Sequence, residues 1–163
     1  MITLMFVDDE EQFLESMKKR LEARGFHVIA LNRGVKAIEA ARKNPVDVAI
    51  VDLKMPGMDG NELLRTLKRE HPWMEVIILT GHGGVDEEFQ SVVDGAHAYL
   101  HKPCNIEDIL DAILKAYKRR LMNKFKMTED RLDALIEAEN PKRNALGALR
   151  AMEKLEKGFK EIS

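Results

Sequence analysis

Residues 46–60 read VDVAIVDLKMPGMDG, an apolar run that ends on a carboxylate and then breaks into a turn-rich segment. A short, nearly continuous apolar stretch bounded by turn residues predicts a strand buried on both faces, with Asp52 at its carboxyl end. The same pattern recurs on either side. Ile2–Val7 (ITLMFV) ends in the acidic cluster Asp8, Asp9, Glu10, Glu11, and His27–Leu31 (HVIAL) is a second strand candidate. Val76–Leu79 (VIIL) leads into Thr80-Gly-His-Gly-Gly, and Ala98–Leu100 into Lys102-Pro103.

The intervening segments carry helical signals. Phe13, Met17 and Leu21 recur every four residues until Gly25 stops the pattern, and Val35–Arg42 is halted by Asn44-Pro45. Asn61 is the expected cap of a helix bearing Leu63, Leu64 and Leu67 that ends near His71-Pro72. A helix around Glu87–Val93 ends at Asp94-Gly95, and Asn105 caps a long helix with Ile106, Ile109, Leu110, Ile113 and Leu114 inward. Strands separated by helices cannot pair as hairpins. The expected fold is therefore α/β, a doubly wound five-stranded parallel sheet with right-handed crossovers and helices on both faces.

Composition narrows the class. The chain has 163 residues, 45% apolar and 33% charged, enough for a core and too apolar for a disordered polar chain. Apolar runs such as Val48–Val51 fall far short of the roughly 20 residues that cross a bilayer, and the N-terminus lacks a secretory pattern. The single cysteine, Cys104, excludes an internal disulfide and a thiolate zinc cluster and fits a reducing compartment. The net charge of −2 conceals an asymmetry: residues 1–117 hold 14 Lys and Arg against 20 Asp and Glu, whereas residues 118–163 hold 12 against 8. An acidic body precedes a basic tail.

In an open parallel sheet, ligands bind beyond the carboxyl ends of the strands. Asp8, Asp9, Asp52, Thr80 and Lys102 all fall there, so five polar side chains should converge on one crevice. Three carboxylates beside one ammonium raise each other's pKa unless a cation offsets them, and an all-oxygen donor set suits Mg²⁺. Lys102 and the metal would keep Asp52 ionised and would stabilise negative charge on a phosphoryl group. Thr80 can supply a hydroxyl donor. The implied chemistry is phosphoryl transfer onto a carboxylate.

These motifs, FVDDE, VDLKMPGMDG, LTGHG and YLHKP in order over about residues 1–120, resemble the receiver domain of two-component response regulators. The resemblance implies a flavodoxin-like strand order, 2-1-3-4-5. It implies that Asp52 is the phosphoacceptor for a histidine kinase or histidine phosphotransfer protein, and that Asp8, Asp9, Asp52 and the backbone carbonyl of Lys54 hold Mg²⁺. Lys102 would pair with the phosphoryl oxygens, and the peptide before Pro103 would be cis. Thr80 and Tyr99 would form the switch, biasing a surface of helix 4, strand 5 and helix 5 toward a downstream partner. Gly81 leaves the phosphoryl site open. Neither Lys54 nor His82 is an acid or amide suited to orient an attacking water, so the acyl phosphate should persist for roughly minutes or more. The family also implies a cytoplasmic location.

The first domain is expected over residues 1–120 and a helical extension over 121–163. Helix 5 is expected to run on through Phe125; Thr128 caps a second segment ending at Asn140-Pro141. A third begins near Lys142, with Ala145, Ala148, Met152, Leu155, Phe159 and Ile162 as its apolar seam. That seam is too short to be stable alone. It is expected to pack on the chain itself, to form a homodimer, or to bind a partner protein. The basic stretch Lys115–Lys126 offers contact with nucleic acid or an anionic membrane as a weaker reading, since a charge run on a helix is usually a solvated face and no aromatic platform or recognition-helix pattern accompanies it. Two further readings stay open at this point, a phosphorylation-independent scaffold with the same fold and the N-terminal part of a longer DNA-binding regulator. A Mg²⁺-dependent hydrolase of free substrates is a weaker reading, since the sequence shows no extra domain or lid insertion to enclose a substrate.

Overall fold

A computed structural model of the chain describes residues 1–81, 84–140 and 143–162, with side chains to residue 160. Two compact units divide it, Met1–Cys104 and Asn105–Ser163.

The first unit is a five-stranded parallel sheet in the order β2-β1-β3-β4-β5, formed by β1 (Thr3–Val7), β2 (His27–Leu31), β3 (Val48–Val51), β4 (Glu75–Thr80) and β5 (Ala98–His101). Interior strand β1 pairs with β2 from Thr3↔His27 to Val7↔Leu31 and with the central β3 from Leu4↔Val48 to Val7↔Val51. The expected fold class and strand order hold.

Alternation along the strands supplies two apolar faces. Met5, Val7, Ala49, Val51, Val76 and Ile78 join Ala37 and Ala41 of α2 (Gly34–Lys43) and Leu63, Leu64 and Leu67 of α3 (Gly60–Glu70) in one core. Phe6 points the other way and meets Phe13 of α1 (Glu11–Glu22), ring centroids 6.0 Å apart. The α1 stripe shifts slightly from the expected one: Leu14, Met17 and Leu21 are buried while Phe13 is half-buried. Gly25, at φ +94°, closes the turn after α1, a left-handed conformation that disfavours a side chain.

One expected cap is corrected. The side chain that caps α3 is Asp59, accepting from the Glu62 N–H at 2.8 Å. Asn61 lies inside the first turn and instead accepts a 2.7 Å hydrogen bond from the hydroxyl of Ser91, a buried residue of α4 (Val85–Val93). Both residue types cap helices, and the start at Gly60 decides between them.

The second unit comprises α5 (Ile106–Phe125), α6 (Glu129–Glu139) and α7 (Ala145–Ile162). Asn105 caps α5 by accepting from Asp108 N–H, and Thr128 caps α6 by accepting from Arg131 N–H, as expected. Residue 120, where a domain boundary was expected, lies inside continuous helix α5. The start of the third segment near Lys142 and its break at Pro141 lie outside the described residues, as does the side chain of Ile162.

The face of α7 that packs inward differs from the expected seam. Ala148, Leu149, Met152 and Glu156 are buried, whereas Leu155 and Phe159 are half-buried. A carboxylate therefore sits in the middle of the packed face. Glu156 accepts from the Tyr117 hydroxyl in a short hydrogen bond, from Arg120 Nη2 at 3.1 Å and from Lys124 Nζ at 3.2 Å. Burial works against its charge, but the Tyr117 hydroxyl and the Arg120, Lys124 and Lys160 cations outweigh that and hold its carboxyl below the ordinary value.

Candidate functional site

Three backbone hydrogen bonds carry the sheet ladder one step past the strands and so set the site at the carboxyl edge. Asp8 N–H donates to Leu31 O at 3.1 Å, Asp52 N–H to Val7 O at 2.9 Å, and Lys102 N–H to Thr80 O at 2.8 Å. Each bond fixes a functional residue to a neighbouring strand end. Asp8, Asp52 and Thr80 are buried there. The Lys102–Pro103 peptide bond is cis.

The side chains then make unequal use of one cation. Lys102 Nζ donates to Asp8 Oδ2 at 2.6 Å and to Glu10 Oε1 at 3.3 Å, and lies 3.8 Å from Asp52 Oδ2. It also stands 4.5 Å from the centroid of the Phe13 ring, a cation–π contact. Burial disfavours the ammonium, but the hydrogen bond to Asp8 and the charges of Asp8 and Asp52 raise its pKa above the ordinary lysine value. Lys102 therefore stays charged.

The two buried aspartates differ in their partners. Asp8 uses both oxygens, Oδ1 accepting from Glu10 N–H at 2.9 Å and Oδ2 from Lys102. Burial nonetheless pushes its carboxyl above the ordinary value, against the pull of Lys102 and the Glu10 N–H. Asp52 Oδ1, in contrast, is buried and accepts no hydrogen bond among the described residues. A buried carboxylate oxygen without a donor is costly, and it is also the lone pair free for a metal or an electrophile.

That orphaned oxygen tests the fit of a cation. Among the described residues, Asp8, Glu10 and Asp52 form a carboxylate trio with one oxygen from each within 4.8 Å of the others. An all-oxygen trio that includes Asp52 suits a hard divalent ion such as Mg²⁺. Asp9 is exposed and lies outside the trio, whereas Glu10, which the motifs do not single out, belongs to it. The signal that could have exposed Glu10 is its place two residues beyond Asp8, at the N-cap of α1.

The loop after β3 is tied back onto Asp52. Gly60 N–H donates to Leu53 O at 2.6 Å, and a Cβ at Gly60 would stand 2.4 Å from the Asp52 carbonyl oxygen and 2.7 Å from Leu53 Cα. Within it Lys54 is exposed between buried Leu53 and Met55. Gly81 leaves room beside the site, since a Cβ there would meet Lys102 only at 3.8 Å, an ordinary contact. His82 lies outside the described residues. Tyr99 is half-buried on β5, its ring edge-on to His101 with centroids 5.2 Å apart. Burial raises its phenol pKa, with smaller contributions from Glu87, Glu88 and Asp52.

Residues 4–114 match the sequence model of a family described as the response regulator receiver domain. The DNA-binding transcriptional regulator NtrC of Escherichia coli is 33% identical over 110 residues, 68% of this chain and 24% of NtrC. The C4-dicarboxylate transport transcriptional regulatory protein DctD of Rhizobium meliloti is 28% identical over 162 residues, 99% of this chain and 34% of DctD. The chain thus spans about a quarter to a third of the length of these two relatives. Among solved structures, a response regulator receiver domain protein from Clostridium thermocellum superposes with a TM-score of 0.69 at 36% identity, covering 78% of this chain and all of that one. A beryllofluoride-activated NtrC4 receiver domain dimer gives 0.70 at 31% identity, covering 74% of this chain and 99% of that one. Among the described residues, no helix is long and apolar enough to cross a membrane.

Proposed function

The chain belongs to the response regulator receiver family, and on that premise we propose that Asp52 accepts a phosphoryl group from a histidine kinase or histidine phosphotransfer protein of a two-component system. The observation that carries this reading is Asp52 Oδ1, buried at the carboxyl edge without a hydrogen-bond donor, beside an ammonium 3.8 Å from its sister oxygen. Asp52 Oδ1 attacks phosphorus, the bond from phosphorus to the donor nitrogen breaks, and that electron pair leaves with the donor imidazole.

Asp8, Asp9 and Asp52, with the backbone carbonyl of Lys54, are the proposed holders of Mg²⁺, and Glu10 stands within reach of the same ion. The ion supplies charge neutralisation for the phosphoryl oxygens. Lys102 is proposed to move from Asp8 to the phosphoryl group, and Thr80 and Tyr99 to act as the switch. The protein performs no turnover of free substrates in this reading, beyond taking up and slowly losing its own phosphoryl group in the cytoplasm.

The output is proposed to reach a partner protein through the face of α4 and β5. Val85, Phe89, Val92 and Val93 of α4 are 83%, 69%, 59% and 61% exposed. Positions 85, 89, 92 and 93 share one helical face, and four exposed apolar side chains in nine residues mark a contact surface rather than scattered surface residues. Homodimerisation through the C-terminal helices is a further proposed association.

A second reading, the N-terminal part of a longer transcriptional regulator, is favoured by one observation. The match to DctD continues through α6 and α7 rather than stopping at the receiver. Immunoblotting of native extract separates the two: a band at the mass of this chain supports the stand-alone switch, a much larger band the longer regulator. The phosphoacceptor reading is tested by intact mass after incubation with Mg²⁺ and a small acyl phosphate. A single phosphoryl adduct that forms only with the metal supports it. No adduct contradicts it, and rapid turnover without an adduct assigns a hydrolase instead.

A further inference from the structure

The loop between β3 and α3 holds the carbonyl proposed for the metal, and it is anchored at more than one point. Its inner limb is fixed by buried Leu53 and Met55 and by the Gly60-to-Leu53 hydrogen bond. Its outer limb turns at Pro56-Gly57, where Gly57 has φ +89°, and ends at the α3 cap Asp59. Between that turn and that cap lies Met58, half-buried and packed against the core.

The seat of Met58 is the first residue of α2. Gly34 is buried, and a Cβ built on it would stand 2.9 Å from Met58 Sδ and 3.2 Å from both Met58 Cβ and Cγ. The sulfur alone could swing aside, but contact with Cβ ties the seat to the Met58 backbone. Absence of a side chain at residue 34 is therefore what lets the outer limb lie against α2. Beside this contact is an open cavity lined by Arg33, Val35, Lys36, Glu39, Pro56 and Met58. A displaced Met58 has space to enter, so a methyl group at residue 34 shifts the loop without blocking the fold.

We infer that Met58, seated on Gly34, is a positioning residue for metal binding: it braces the β3–α3 loop from the α2 side and so keeps the Lys54 carbonyl in line with Asp52. This inference rests on the phosphoacceptor reading above. Met58 touches neither the metal nor the phosphoryl group. It acts through the backbone, and its loss should weaken affinity for Mg²⁺ while leaving chemistry at saturating Mg²⁺ intact.

The test uses the full chain with Gly34→Ala, Met58→Ala, Met58→Leu and the Gly34→Ala/Met58→Ala pair. Two titrations with Mg²⁺ are read, the rise in melting temperature and the rate of adduct formation with an acyl phosphate. Both single alanine variants should need on the order of tenfold more Mg²⁺ for half-saturation, as supporting residues around a metal site typically do, with little change in maximal rate. Met58→Leu, which keeps the contact carbons, should remain close to wild type. The double variant should be no worse than either single, since the added methyl and the truncated Met58 disturb the same contact, and truncation relieves the overlap with Sδ and Cγ. Wild-type half-saturation in both alanine variants, or additive losses in the pair, overturns the inference. A wild type that shows no Mg²⁺-dependent adduct overturns the phosphoacceptor reading and this inference with it, whereas a normal wild type with unaffected variants overturns this inference alone.

Discussion

Lys102 is bonded to Asp8 at 2.6 Å and stands off from Asp52 at 3.8 Å, so the cation is held beside the nucleophile rather than on it. The arrangement has a consequence for stability. Burial raises the Asp8 carboxyl above its ordinary value of 3.8. A carboxyl raised in the folded state contributes most to stability below its unfolded value, and that contribution is lost as pH rises through the folded value. At neutral pH the charge of Asp8 thus opposes folding. Asp8→Asn, which keeps an acceptor for Lys102, should melt a few degrees higher than wild type in Mg²⁺-free buffer, and its melting temperature should respond less to added Mg²⁺. Calorimetry with and without the metal checks both; a variant that melts lower would contradict the reading of this charge as a functional liability.

Gly60 makes the sharpest steric prediction. A methyl group there meets backbone, at 2.4 Å from the Asp52 carbonyl oxygen, and backbone cannot swing aside as a side chain does. Gly60→Ala should cost roughly 1–3 kcal/mol in denaturant unfolding, the usual price of overpacking. It should also slow adduct formation at Asp52, because the displaced atoms belong to Asp52 itself. A variant as stable as wild type would show that the loop does not lie as described.

The helical unit should be sensitive to acid through Glu156. Burial raises this carboxyl, but the Tyr117 hydroxyl and the surrounding cations lower it further, so the net shift is downward from 4.5. A depressed carboxyl contributes stability that is fully present above the unfolded value and is lost as pH falls through the folded one. Helical circular dichroism of α5–α7 should therefore fall as pH drops below about 4.5, and Glu156→Gln should flatten that response. Glu156→Ala takes the shared acceptor from buried Arg120 and Tyr117 and should destabilise by about 3 kcal/mol, the scale for breaking a buried pair.

Much of this architecture was legible because local signals agreed. Strands β1 and β3 are apolar runs that end on carboxylates, and the cap residues Asn105 and Thr128 stand where their helices begin. Glu156 was not legible. On α7 it falls among residues such as Lys154 and Lys157 that are exposed, and its burial rests on the Tyr117 hydroxyl and the cations of α5, which the spacing along α7 does not show. Glu10 was missed for a similar reason: an acid at a helix start already has a sufficient local explanation in the helix dipole. Distinguishing Asp59 from Asn61 as the cap of α3 needed the close approach of Gly60 to Asp52, a long-range contact that spacing does not encode.

The exposed α4 face separates chemistry from output. Phe89→Ser should leave stability within about 0.5 kcal/mol of wild type, as exposed substitutions generally do. It should leave adduct formation unchanged and weaken capture of the partner protein by the phosphorylated chain. Slower phosphorylation of the variant would place Phe89 in the donor-facing surface instead.

The most direct measurement asks which atom carries the phosphoryl group. Borohydride reduces a phosphorylated aspartate to homoserine, and peptide sequencing locates the converted residue. After treatment with Mg²⁺ and an acyl phosphate, the account predicts homoserine at position 52 and nowhere else. Homoserine at position 8, or at no position in a chain that has gained a phosphoryl group, would contradict it.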